Sequence, residues 1–329
     1  MLRDLYTKAI NMRNGDYYWG EVVHEHDNYY NVVGTGIHVK PDDSFFMTEN
    51  HVNGLYDGHV LYRGKNTNEK SVIGCFRNGK LYGPHMSFIY EKYLAYAWNN
   101  SNGQMHGCSC FIWHDGSYVV TRYDNGVCCG KGLYYEGGYM SFVRLDASGK
   151  IQSYLSKFHA GSDLFYTTCR MFMMPFDKNR NIESVGVANR RDHVSKIQVI
   201  AGEENGYGIC RWDQGDRYFG EYMAGYRSGI GCYKYASGQT LLGKFYDDNL
   251  YGSATVWFAD GGLAYGNFTA GRRDGVFFDI GAGSSVVKIA NYEGNKQIGI
   301  AYYLDLNTFT VTMYTGGGDS RKIGTQYYG

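Results

Sequence analysis

Between Gly215 and Gly281 one pattern returns three times without a gap, and a chain that repeats itself on so short a period folds by adding copies of one small unit. Gly215, Gly238 and Gly261 open units spaced 23 residues apart. In each unit a second glycine follows (Gly220, Gly243, Gly266), then an aromatic two residues on (Tyr222, Phe245, Phe268), then a third glycine (Gly229, Gly252, Gly275). The two short runs in each unit are rich in Tyr, Phe, Val and Ile and alternate in character, which is the pattern of a strand rather than a helix. Ala224-Gly225, Asp247-Asp248-Asn249 and Ala270-Gly271 separate the runs, while Gln214-Gly215, Ser237-Gly238 and Asp260-Gly261 join the units. Such residues supply the positive φ of tight turns. Each unit is therefore expected to be one β-hairpin, paired edge to edge with the next in a continuous antiparallel sheet.

Glycine inside a strand weakens it and packs nothing, so Gly220, Gly229 and Gly231 need a reason. Alternation puts Gly220 and Tyr222 on one face, and the expectation is that Tyr222 lies flat over a glycine floor. With Tyr218-Phe219-Gly220-Glu221-Tyr222 followed by Gly229-Ile230-Gly231, the unit resembles the MORN repeat (membrane occupation and recognition nexus), a Y-x-G-x-aromatic strand, a polar hairpin and G-x-G. The resemblance is specific in these three units.

Extended along the chain, the pattern predicts an all-β fold: an elongated, twisted single antiparallel sheet of about thirteen hairpins, with strands ~4.8 Å apart and a curved rod on the order of 120 Å long. Leu2, Leu5, Tyr6, Ala9 and Ile10 fall at helical spacing, so residues 1–14 read as a cap with a short helix over the first sheet edge. Residues 15–160 read as degenerate repeats, beginning with Gly15-Asp16-Tyr17-Tyr18-Trp19-Gly20-Glu21, whose third glycine, Gly34, comes five residues late. Residues 161–191 read as a repeat with an extended apolar hairpin, and residues 192–329 as further repeats, best matched over 215–283.

The 329 residues carry 33 Tyr, 46 Gly and only 3 Pro, which suits many short strands and turns. Net charge is zero with both signs interleaved, so no field for nucleic acid exists. No stretch has the apolar length of a signal peptide or a spanning helix, and the eight Cys then read as reduced thiols of a cytoplasmic, intracellular protein.

His24-x-His26 with Glu25 and Asp27 offers metal ligands on one loop without an identified third, and an exposed polar hairpin tip is the plainer account. Aligning Gly107 with Gly130 sets Cys129 beside His106 across the sheet, a second weak zinc candidate better explained by small strand residues. No metal or cofactor is expected from either. No nucleophile elbow, phosphate loop, H-E-x-x-H or dinucleotide fingerprint occurs, and the array leaves hardly any chain for a catalytic domain, so no enzyme activity is expected.

Candidate binding residues are the apolar tip Met171, Phe172, Met173, Met174 and Phe176, and the in-phase stripe Tyr222, Phe245, Phe268 and Tyr292. For the tip the alternative is folding back onto its own sheet, and for the stripe internal packing on glycine. The array without catalytic motifs suggests a scaffold or protein-binding protein, and the resemblance implies assembly roles and homodimerisation through terminal repeats. Two alternatives stay open: peripheral binding to anionic membranes, against which no polybasic cluster accompanies the apolar tip, and a regulatory array partnering an enzyme on another chain.

Overall fold

The computed structural model describes residues 5–26, 29–159, 185–190, 193–200, 203–316 and 321–327. The residues 171–176 tip lies outside them. The first sheet runs β1 (Leu5–Asn11), β2 (Tyr17–His26), β3 (Tyr29–Val39), β4 (Phe45–Val52), β5 (Leu55–Arg63), β6 (Ser71–Arg77) and β7 (Lys80–Ile89). It continues through β8 (Tyr93–Asn99), β9 (Gly107–Trp113), β10 (Tyr118–Asp124), β11 (Val127–Glu136), β12 (Tyr139–Leu145) and β13 (Ile151–His159). The second sheet runs β14 (Val185–Arg190), β15 (His193–Ile200), β16 (Glu203–Trp212), β17 (Arg217–Met223), β18 (Tyr226–Lys234), β19 (Thr240–Tyr246) and β20 (Asn249–Trp257). It ends with β21 (Leu263–Thr269), β22 (Arg272–Ile280), β23 (Val286–Glu293), β24 (Lys296–Asp305), β25 (Thr310–Thr315) and β26 (Lys322–Tyr327). Within each sheet every strand pairs antiparallel with its neighbours in sequence.

The all-β architecture of consecutive hairpins matches the repeat, but two expectations are corrected. The helix over residues 1–14 is replaced over Leu5–Asn11 by β1, which pairs with β2 from Leu5↔Val23 to Asn11↔Tyr17. A helix this short is marginal in water, whereas a strand here satisfies its backbone against an otherwise open edge. In place of the single sheet, the described strands form two sheets of thirteen, each ~60 Å across its strands.

The sheets stack face to face in the same order, with strands of the first lying near those twelve or thirteen places on. Arg211 of β16 donates to the hydroxyl of Thr35 on β3 at 2.8 Å, Tyr96 of β8 and Tyr265 of β21 have ring centroids 4.4 Å apart, and Lys131 of β11 donates to the Asn307 carbonyl after β24 at 3.0 Å. One core runs between them and includes Ile37, Leu61, Met86 and Phe142 from the first sheet and Phe219, Leu242, Ile289 and Leu304 from the second. Phe45 against Tyr207, Trp98 against Trp257 and Tyr118 against Phe278 cross the interface at 4.9, 5.6 and 4.9 Å. Such ring pairs add ~0.5–1.5 kcal/mol each beyond the area they bury.

The glycines explain the outer faces. In the hairpin turns both central residues have positive φ, as in Asn53 (51°) and Gly54 (75°), Asn78 (50°) and Gly79 (73°), and Ala224 (50°) and Gly225 (81°). This is the type I′ geometry that matches strand twist. Each third glycine is also left-handed, Gly34 at 57°, Gly229 at 88° and Gly275 at 87°, and lies in a hairpin whose register shifts. Three of these irregularities are closed by a carboxylate from the inner face: the N–H of Thr35 donates to Glu21 at 2.7 Å, that of His59 to Glu49 at 3.3 Å, and that of Ile230 to Glu221 at 2.6 Å.

The ring on the glycine floor is Tyr218, not Tyr222. An added Cβ at Gly231 would meet the Tyr218 hydroxyl at 2.3 Å, and Gly36 stands in the same relation to Tyr18. Tyr218 precedes Gly220 by two residues and shares its face; the bulge between Gly220 and Tyr222 moves Tyr222 off the floor. The Tyr218 hydroxyl donates to the Glu221 carbonyl at 3.0 Å, locking the ring down. Elsewhere Ala254 fills the space over Gly243, and Phe277 that over Gly266. Replacing Gly231 with alanine must displace a fully buried ring, so Gly231→Ala is expected to lower unfolding free energy by ~1–3 kcal/mol in urea denaturation.

Candidate functional site

A cleft of about 660 Å³ lies on the outer face of the first sheet and is built mainly by the first two hairpin units. Tyr18 from β2, Val32 and His38 from β3, and His51 and Tyr56 from β4 and β5 line it. The rings touch in sequence: Tyr18 to His51 at 5.7 Å, His51 to Tyr56 at 5.1 Å, and Tyr56 to His38 at 6.4 Å. Tyr56 also stacks on Phe46 at 4.6 Å, which holds its ring in place.

A hydrogen-bond chain fixes the polarity of this wall. His38 Nε2 lies 2.6 Å from Asp16 Oδ2, and His38 Nδ1 lies 2.9 Å from the Tyr56 hydroxyl. The ionised carboxylate accepts only, so His38 donates from Nε2 and its Nδ1 receives the Tyr56 proton. Asp16 is itself held by the Asn14 side-chain amide at 3.0 Å. Burial, with the charge of Asp16 adding to it, pushes the Tyr56 phenol far above its ordinary range, so it stays protonated and is no nucleophile. His51 Nδ1 donates to the Gly34 carbonyl at 3.3 Å, and burial lowers its pKa to about 4. At neutral pH this ring is therefore neutral, with Nε2 left as an acceptor.

The cleft thus offers aromatic walls and acceptors. None of these residues was singled out from the sequence. The signal was present in the echo of Gly15-Asp16 with Gly215-Asp216: Asp216 accepts from Tyr233 at 2.7 Å, and His38 occupies in β3 the position of Tyr233 in β18.

The residues that were singled out fall elsewhere. Tyr222, Phe245, Phe268 and Tyr292 do lie together on the outer face of the second sheet, but none is more than 9% exposed. Tyr222 and Phe245 each pack edge-on against Tyr218 at 5.2 Å, and Phe268 and Tyr292 against Phe277 at 5.1 and 5.4 Å. They are an internal seam of the sheet instead of an open groove, because each bulge turns its aromatic toward the neighbouring unit.

His24 is exposed and packs on Tyr30 at 5.2 Å; His26 lies in β2. His106 pairs with Asp124 at 3.2 Å on the surface, and the exposed Cys129 is on β11. Because β10 runs between β9 and β11, Cys129 does not sit beside His106 across the sheet as the glycine alignment suggested. Among the described residues no three His, Cys, Asp or Glu side chains come together in a way that could hold a metal ion. Among the same residues no helix is long and apolar enough to cross a membrane.

A second polar cluster lies where the two sheets meet. Glu49 takes a hydrogen bond from His59 Nδ1 at 2.8 Å and pairs with Arg217 of the second sheet. Burial alone would raise the Glu49 carboxyl, but His59 and Arg217 outweigh it and hold the group well below the carboxylate range.

His51 and the equally buried His85, whose pKa burial also lowers to about 4, make the fold sensitive to acid. Both fall below their unfolded value of 6.5, so the unfolded chain binds more protons between pH 6.5 and 4. Stability is expected to be full above that window and to fall through it by on the order of 3 kcal/mol per ring, and a His51→Gln, His85→Gln variant is expected to lose much of that slope in denaturation at pH 7 and pH 4.5. No protein-family model and no curated protein matches this chain.

Proposed function

We propose that this chain is a non-enzymatic assembly protein of the MORN-repeat kind, working inside the cell, and that its partner is a second copy of itself. The observation that carries this reading is the exposed apolar side chains on β13 and β26, the last described strand of each sheet. Among the described strands each of these has one paired neighbour, and the proposal is that its other edge pairs with a second copy. Exposed apolar side chains gather on the same strands: Tyr154 on β13 is 59% exposed, and Ile323 and Tyr327 on β26 are 50% and 80% exposed.

Edge pairing supplies main-chain hydrogen bonds, and the flanking side chains give it selectivity. The absence of catalytic motifs in the sequence and the protonated phenol of the Tyr56 cleft support a binding role over a chemical one.

Sedimentation velocity across an about hundredfold concentration range is expected to show a monomer converting to a dimer or larger species. Tyr154→Lys, Ile323→Lys and Tyr327→Lys together place like charges on that end and are expected to hold the protein monomeric with its thermal midpoint unchanged. A wild-type protein that remains monomeric throughout overturns the reading.

A further inference from the structure

The cleft of the first sheet has a counterpart in the second, and the two differ at one position above all. The registers coincide: Tyr18 pairs with His38 as Tyr218 pairs with Tyr233, Gly20 with Gly36 as Gly220 with Gly231, and Val22 with Val32 as Tyr222 with Arg227. In the second sheet the space over these strands is filled by the Arg227 guanidinium. It lies 5.8 Å from the ring centroid of Trp212, 5.6 Å from Tyr218, 5.0 Å from Tyr233 and 5.9 Å from Phe245, and its Nε donates to Asp248 at 2.9 Å. The chain uses the device again at Arg273, which pairs across from Phe268 and lies 4.8 Å from Phe277 and 5.1 Å from Tyr292, with Asp279 accepting at 2.9 Å.

Each wall of the Arg227 cage has an equivalent around the cleft. Met12 and Trp212 open the same turn, their N–H groups donating to the Asp16 and Asp216 carbonyls. Tyr18 stands for Tyr218, His38 for Tyr233, and His51 for Phe245, each one residue before the hairpin-closing pair Val52↔Leu55 or Tyr246↔Asn249. All four line the cleft. The cation has no equivalent, since Val32 holds the Arg227 position and its side chain ends at the β-branch, and its carboxylate partner has none either, since Gly54 holds the Asp248 position. Arg227 thus accounts for one sheet's filled cage and Val32 for the other sheet's open cleft.

We propose that the cleft bounded by Tyr18, Val32, His38, His51 and Tyr56 binds the guanidinium of an arginine side chain presented by a partner protein, as this chain seats its own Arg227. The substitutions around the cleft suit that ligand. Two rings of the Arg227 cage become imidazoles, and the neutral His51 offers an Nε2 acceptor while the Tyr56 oxygen, its O–H donating to His38, offers lone pairs. A guanidinium carries five donors in one plane and can meet such acceptors while its face lies on a tyrosine ring. The Asp16 carboxylate behind His38 supplies negative charge close by. The rim is reachable, for Asn53, Gly54 and Leu55 are exposed.

The site is independent of the edge association above, and its test reads a different part of the molecule. The full chain is titrated with acetyl-Gly-Arg-Gly-amide, followed by the imidazole resonances of His38 and His51. Matched peptides carry citrulline, the neutral isostere, or lysine, and free arginine serves to separate a small-molecule site from a side-chain site. The arginine peptide is expected to shift both imidazoles with a dissociation constant on the order of 1 mM, about tenfold tighter than the citrulline and lysine peptides and tighter than free arginine. Val32→Arg is expected to seat its own guanidinium, abolish the peptide shifts and raise the thermal midpoint. Unmoved imidazoles, equal binding of the citrulline peptide, or free arginine binding better than the peptide overturns the proposal, as does a folded Val32→Arg protein that still binds. The wild-type comparison decides even if that variant does not fold.

Discussion

Strands of both sheets bury apolar side chains on both of their faces, and that constraint decides the architecture. One face carries Ile, Leu, Val, Met and Phe; the other carries tyrosine, glycine and small residues. A lone sheet would leave the first set in water, at a cost of ~1.5–3 kcal/mol for each large side chain that could have been buried. Stacking two copies of the same surface removes that cost for both at once. The interface is therefore the core, and a hairpin taken out of the array has none.

The outer faces are sealed by a different device. Tyr18 and Tyr218 lie over glycines so closely that a single methyl would collide, and the left-handed third glycines let the strands bend around these rings. Glu21, Glu49 and Glu221 then reach through from the inner side to take the amide that each irregularity sets free. Aromatic cover, backbone kink and buried carboxylate are thus one unit. Tyr207 joins it, donating to Glu221 at 2.9 Å while its ring packs on Phe45 across the interface.

Much of this was legible from residues. The turns at Asn78-Gly79, Ala224-Gly225 and Ala270-Gly271, the strand pairs they close and the special status of Gly229, Gly252 and Gly275 all follow from spacing. What the spacing hid was the other parity. Attention to the glycine-aromatic beat left Ile209, Phe219, Ile230 and Leu242, each on the inner face, without a partner, and that omission is why one long sheet was expected where two are stacked. Tyr222 was misjudged because a bulge shifts alternation by one residue, which no strict period-two reading can follow. The cleft was hidden for a simpler reason: His38, His51 and Tyr56 come from three strands and look like ordinary strand residues until registers are known.

The parallel order of the two stacked layers bears on how the polypeptide is made. Residues that meet across the interface, such as Thr35 with Arg211 or Cys108 with Ser284, are 176 positions apart. A ribosome adding ~5–20 residues per second would take on the order of ten seconds or more between emitting one and emitting the other. Through that interval the earlier layer can zip its neighbouring hairpins together but has nothing to lie against. Its greasy side stays available to chaperones, or to the nascent chain on the next ribosome, until the later layer emerges to cover it.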